Sequence, residues 1–215
     1  MRDGALDAAR GAAFVLMCVN HYGIATRQTA LTRAAGHVAR TTFMLLVGAT
    51  FAVCPHTPRA RVRRAALTAT HAALVSAVSW LLLPSVWIRL GVLHCIALCS
   101  LALAAMDRAH LLGSVHSALA AGLLLAAYHA APVTSTPLDL LTGAARTATL
   151  DWFPPLYWMS VVLAGHSIGA GLARRAPRHP RLRALAWLGR HSLPLYTAQM
   201  LALMLLLALR PASVS

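Results

Sequence analysis

The chain has 215 residues, enough for one membrane domain and little else. Apolar residues make up 59% of it and charged residues 11%, too little charge to cover the surface of a soluble domain of this length. The charge is one-sided, with 19 arginines and no lysine, five aspartates and no glutamate, for a net +14 with neutral histidines. On a soluble protein this balance would point to nucleic acid. Here the arginines fall at the ends of apolar runs, so they read as topology signals beside anionic lipid, and no nucleic-acid partner is expected.

The apolar pattern predicts an all-α, polytopic membrane helix bundle of about seven transmembrane helices, a single domain over residues 1–215. The first span, Gly11 to Thr26, carries Asn20 and His21 and reads as a span, not a cleavable leader. The second runs from Thr41 to Cys54. Both fall short of the roughly 20 residues a full span needs, and flanking Arg10 and Arg40 are placed to snorkel and lengthen them. The remaining spans are Ala65 to Leu83, Leu90 to Met106, Leu111 to Ala131, Pro155 to Ala173 and Leu185 to Leu209. Cys18, Cys54, Cys95 and Cys99 lie in or beside these runs as small buried hydrophobes, and no Cys/His spacing calls for a metal.

Arginine placement sets the orientation. The loop His56 to Arg64 holds Arg59, Arg61, Arg63 and Arg64; the loop Arg174 to Arg183 holds five more. Both follow even-numbered spans, so both are expected in the cytoplasm, giving an N-in, C-out topology. Trp87, Trp152, Tyr157 and Trp158 then form an outer aromatic belt. His21, His94, His129 and Asp151 map to the outer half, and His71, His116, His166 and His191 to the inner half. Ionisable groups at membrane depth are costly and face a cavity or a partner. Gly165-His166-Ser167-Ile168-Gly169 reads as a close-packing motif between helices.

Five segments carry a resemblance. They are Leu6-Asp7-Ala8-Ala9-Arg10-Gly11 leading to Asn20-His21-Tyr22, then Phe43 to Ala49, then Gly91-Val92-Leu93-His94. Asp151-Trp152-Phe153-Pro154-Pro155 and Gly189-Arg190-His191-Ser192-Leu193 with Tyr196 complete the set. In this order they resemble the heparan-α-glucosaminide N-acetyltransferase-like membrane proteins, a group of transmembrane acyltransferases, and fit its compact bacterial branch best. One departure is Gln199, where bacterial relatives usually carry His after the last-helix Tyr. The extra helices and luminal domain of the larger relatives are missing, so sugar specificity does not carry over.

The resemblance implies transfer of an acetyl or other acyl group from cytosolic acetyl-CoA, as cosubstrate, to an envelope saccharide or similar polyol across a bacterial inner membrane. That chemistry needs a base for the attacking hydroxyl or amine and a donor for the oxyanion. His21 is the candidate base, since neutral imidazole accepts a proton near neutral pH. Asn20, the single asparagine, is the candidate donor to the thioester carbonyl, and Asp151 the group that orients an imidazole. His94 is a fourth catalytic candidate, set against a buried structural hydrogen bond. Arg190 and His191 are candidates for CoA phosphates, set against ordinary positive-inside charge. Other classes stay open: a noncatalytic or transport subunit, or a haem electron carrier with paired histidines. A retinal sensor is excluded for want of a lysine. The bilayer is the expected partner, and homo-oligomerisation is left open.

Overall fold

The computed structural model describes residues 4–54, 56–131, 139–142, 149–175 and 182–209, the side chains of 140, 141, 170 and 172–175 excepted. Much of the expected loops Pro132 to Thr149 and Arg174 to Arg183 therefore lies outside the described residues, including Arg146, Arg178 and Arg181. The fold is all-α. Its helices are α1 (Gly4–Ala25), α2 (Ala30–Val53), α3 (Pro58–Leu82), α4 (Val92–Arg108), α5 (Ser114–Ala130), the short α6 (Asp139–Thr142), α7 (Pro155–Arg175), α8 (Arg183–Arg190) and α9 (Ser192–Ala208). Among the described residues the one β-type pairing is an isolated bridge between Leu90 and Trp152.

Several helices begin earlier than hydropathy alone predicts, and local capping explains why. Thr29 and Thr32 form a reciprocal capping box, Thr32 N–H donating to Thr29 Oγ1 at 3.2 Å and Thr29 N–H to Thr32 Oγ1 at 2.9 Å. So α2 starts at Ala30, and Arg40 sits inside the helix instead of flanking it. Thr57 caps α3 and Pro58 occupies its first turn, where a missing N–H costs nothing. Arg59, Arg61, Arg63 and Arg64 are thus helical residues, not loop residues.

The expected last span is broken. The α8 and α9 axes differ by 73° at His191. Pro194 gives the reason: in a continuous helix its ring would strike the carbonyl four residues back, at Arg190. Starting a new helix at Ser192 puts Pro194 in a first turn, where it is tolerated.

Close helix crossings hold the bundle together. A Cβ on Gly48 would overlap the Val162 carbonyl, and one on Gly165 would overlap Leu45 O, so α2 and α7 touch backbone to backbone. Gly11 and Gly189 do the same for α1 and α8, against Leu185 O and Asp7 O. Met44, Val162, Leu163, Leu103 and Met204 are fully buried between these helices. Polar contacts join α3 to α9 and α5 to α7. The Thr197 hydroxyl donates to Leu193 O, so it accepts from His71 Nδ1 at 2.9 Å, while His166 Nδ1 and Ser117 Oγ share a bond of 2.9 Å.

The outside of the bundle is apolar. Leu67, Leu74, Trp80 and Leu81 of α3 are exposed, as are Val115, Leu119 and Leu123 of α5 and Leu205 and Leu206 of α9. Exposure on this scale suits hydrocarbon, not water. By length and composition α2 and α3 are each apolar enough to cross a membrane, and the bent α8–α9 pair makes a third. With 17 residues apiece, α4 and α5 reach about 26 Å, just under a bilayer core.

Candidate active site

Among the described residues, cavities lie towards each end of α1. The first, about 240 Å³, lies where α1 ends and α2 begins, and is lined by Asn20, His21, Arg33, His37, Arg40 and Asp151 together with apolar side chains. The second, about 290 Å³, lies where α1 and α3 begin and α2 ends, and is lined by Arg10, Arg61, Arg64 and Arg190 with Asp7, Thr50 and Phe51. Met17, Val92 and Tyr196 line both. They form a common wall between a cavity rich in arginine and one holding the imidazole of His21.

His21 is buried in the last turns of α1, with its ring 5.9 Å from that of Tyr196 at 54°. The Gln199 side chain reaches both His21 and Cys18. Yet Nδ1 of His21 and Oε1 of Gln199 are buried without hydrogen-bond partners. Asn20 packs where Gly36 leaves room, since any Cβ there would overlap its amide, and its Oδ1 accepts from Gln28 Nε2 at 3.4 Å.

Asp151 reaches the same cavity from the segment before α7. Its Oδ2 accepts the Val92 N–H at 3.2 Å, so it caps the start of α4 from outside that helix. Leu150 N–H to Val86 O, Phe153 N–H to Leu90 O and Thr149 Oγ1 to Trp87 O fasten the two segments together. Burial pushes the Asp151 carboxyl up to about 6, against the opposing pull of the Val92 N–H and Arg40.

The structure separates His94 from this group. His94 lies two residues past Val92, about 200° around α4. Its Nε2 is 3.3 Å from Ser76 Oγ, which itself donates to Ile88 O at 2.6 Å. Its geometry is that of a link to α3. Arg190 lines the arginine cavity, but His191 turns away, its Nδ1 donating to Trp187 O at 2.9 Å and its ring 4.6 Å from the indole.

Residues that the sequence offered no site role, or, for the arginine loop holding Arg61 and Arg64, a role in binding CoA phosphates ranked below positive-inside charge, complete both cavities. Arg10 is held by Asp7 at 2.8 Å and Thr50 at 2.7 Å, and Arg61 by Asp107 and by the face of Phe51, 3.9 Å from its centroid. Arg64 bonds His56. In the other cavity Arg33, His37 and Arg40 recur at i, i+4 and i+7 of α2, a period that was available as a signal once the helix start was known. Tyr196 had its place in a motif but no role.

The family model described as heparan-alpha-glucosaminide N-acetyltransferase, catalytic, matches residues 2–201. No curated protein and no solved structure matches the chain.

Proposed function

We propose that this chain, which belongs to the heparan-alpha-glucosaminide N-acetyltransferase catalytic family and is an integral membrane protein of the acetyl-transferring type, moves an acetyl group from cytosolic acetyl-CoA to a saccharide or polyol acceptor on the far side of the membrane. The observation that carries this reading is the pair of cavities divided by Met17, Val92 and Tyr196. An arginine-rich cavity suits the phosphates of CoA, with Arg10, Arg61, Arg64 and Arg190 as their partners. The other cavity suits an acceptor, because it brings a buried imidazole, an amide and a carboxylate to one space.

In this reading the thioester enters from the arginine cavity and its carbonyl comes to rest at the common wall. His21 takes the proton of the attacking hydroxyl or amine as the new bond to the acetyl carbon forms. Asn20 donates to the oxygen that becomes negative. The thiolate of CoA leaves on the arginine side and the proton on His21 neutralises it. Asp151 acts through position, holding the Val92 end of α4 against the cavity. The bundle then has about seven membrane crossings, N-in and C-out, in a bacterial inner membrane.

Incubation of the purified protein in lipid with labelled acetyl-CoA and envelope glycan fractions tests this. The expected result is acceptor-dependent CoA release with label in a glycan. Failure of acetyl-CoA to bind or be consumed with every fraction would contradict it.

A further inference from the structure

In the His21 cavity, α2 presents three cationic or imidazole side chains on one stripe, Arg33, His37 and Arg40. Among the described residues the ion pairs are Arg10 with Asp7 and Arg61 with Asp107, so no carboxylate pairs with Arg33 or Arg40. Asp151, the carboxylate lining this cavity, is engaged with the Val92 N–H.

Arg40 is half-buried and fixed in direction. Its Nε donates to Gly36 O at 3.2 Å, and one terminal nitrogen donates to His37 Nδ1 at 3.3 Å. Phe153 lies beneath it, the guanidinium carbon 6.0 Å from the ring centroid. A guanidinium has five N–H donors, and these contacts use two of them. With Nδ1 accepting, the His37 proton sits on Nε2 as a further donor. Arg40 thus keeps guanidinium donors free beside Arg33 and His37, which line the same cavity and are themselves exposed. In the N-in reading, Arg33 and Arg40 lie on the side of the membrane that the positive-inside pattern depletes.

We propose that the His21 cavity recognises its acceptor through an anionic group, a phosphate, sulfate or carboxylate, held between Arg33 and Arg40 with His37 beside them. This rests on the reading of that cavity as the acceptor site. A planar guanidinium grips such oxygens in pairs, which fixes orientation as well as affinity. The rest of the acceptor then extends past His21 toward Tyr196. The anionic group selects the substrate, and the neutral hydroxyl or amine receives the acetyl group.

Inorganic phosphate is the probe, titrated against the full chain in phosphatidylcholine nanodiscs and read as a rise in unfolding temperature. Arg40→Gln, and Arg33→Gln with Arg40→Gln, are expected to weaken phosphate binding roughly 10-fold to 100-fold, with Arg40→Lys in between. Unfolding in phosphate-free buffer checks that each variant is folded. Unchanged phosphate affinity in the folded double variant would overturn the proposal. So would affinity that falls in Arg64→Gln instead, because the anion would then belong to the arginine cavity. Repeating the titration with phosphatidylglycerol in the discs separates two sources: competition identifies a lipid headgroup, and none a soluble acceptor. Acetyl transfer is followed independently. Arg40-dependent phosphate binding without transfer to any acceptor would leave the anion site standing and remove the enzyme reading; transfer with Arg40-independent binding would do the reverse.

Discussion

The rings of His21 and Tyr196 lie 5.9 Å apart, and Tyr196 is also a wall of the arginine cavity. Tyr196 is therefore, with Met17 and Val92, one of the side chains that separate the imidazole from the space assigned to CoA. On the proposed function, this places Tyr196 where donor and acceptor meet, in a position to exclude water from the thioester.

Removal of that wall has a specific consequence. Tyr196→Ala joins the two cavities and lets water reach the thioester from the His21 side. CoA release without acceptor is expected to rise relative to acceptor-dependent transfer. An unchanged ratio, at matched protein and stability, would show that Tyr196 is not the barrier.

The arginine cavity makes a separable prediction. Arg64→Gln and Arg190→Gln remove charge from the CoA side without touching His21. Each is expected to raise KM for acetyl-CoA several-fold to about tenfold with kcat little changed, the signature of lost ground-state binding. A fall in kcat at constant KM would contradict the assignment.

Asp151 gives a pH-dependent test. Burial raises its carboxyl from 3.8 to about 6, so the folded protein holds this proton more tightly than the unfolded chain. The stabilisation is fully present below about pH 4 and is lost as pH rises through about 6. The difference corresponds to at most about 3 kcal/mol, less whatever cavity water screens. Asp151→Asn keeps an oxygen for the Val92 N–H and removes the titration. Its unfolding temperature relative to the parent should climb between about pH 4 and pH 6 and then level off. A constant offset across that range would refute the raised carboxyl.

Orientation is checked by labelling. In a variant lacking the four native cysteines, Arg27→Cys between α1 and α2 is expected to react with an impermeant maleimide on intact cells. Arg59→Cys at the start of α3 should react only after lysis. The reverse pattern would invert the membrane and exchange the sides of the two cavities.

The helices were legible in the sequence because apolar runs of 14 to 25 residues leave few alternatives, and the centres of α3, α4, α5 and α7 follow hydropathy closely. The first turns of α2 were not, since Arg33, His37 and Arg40 lower the hydropathy of a segment that lines a cavity. Pro194 was visible, but a break three residues ahead of it competes with a long apolar run, and the run dominated the reading. Asn20, His21 and Asp151 share a cavity although 130 residues separate Asp151 from His21. Motif order suggested that group but gave no side-chain directions, which is why His94 was included and Tyr196, Arg33 and Arg40 were not. A common wall between two cavities is a tertiary fact with no signature in one sequence.

The most direct measurement is CoA release by His21→Ala, with acetyl-CoA binding and thermal stability followed on the same preparation. His71→Ala, which loses the bond to Thr197 away from both cavities, serves as the comparison. The expected result is a folded His21 variant that binds acetyl-CoA normally and turns over roughly 100-fold or more slowly, while His71→Ala loses stability more than rate. Near-normal turnover by folded His21→Ala, or losses of rate and stability in equal measure, would contradict its role as the base.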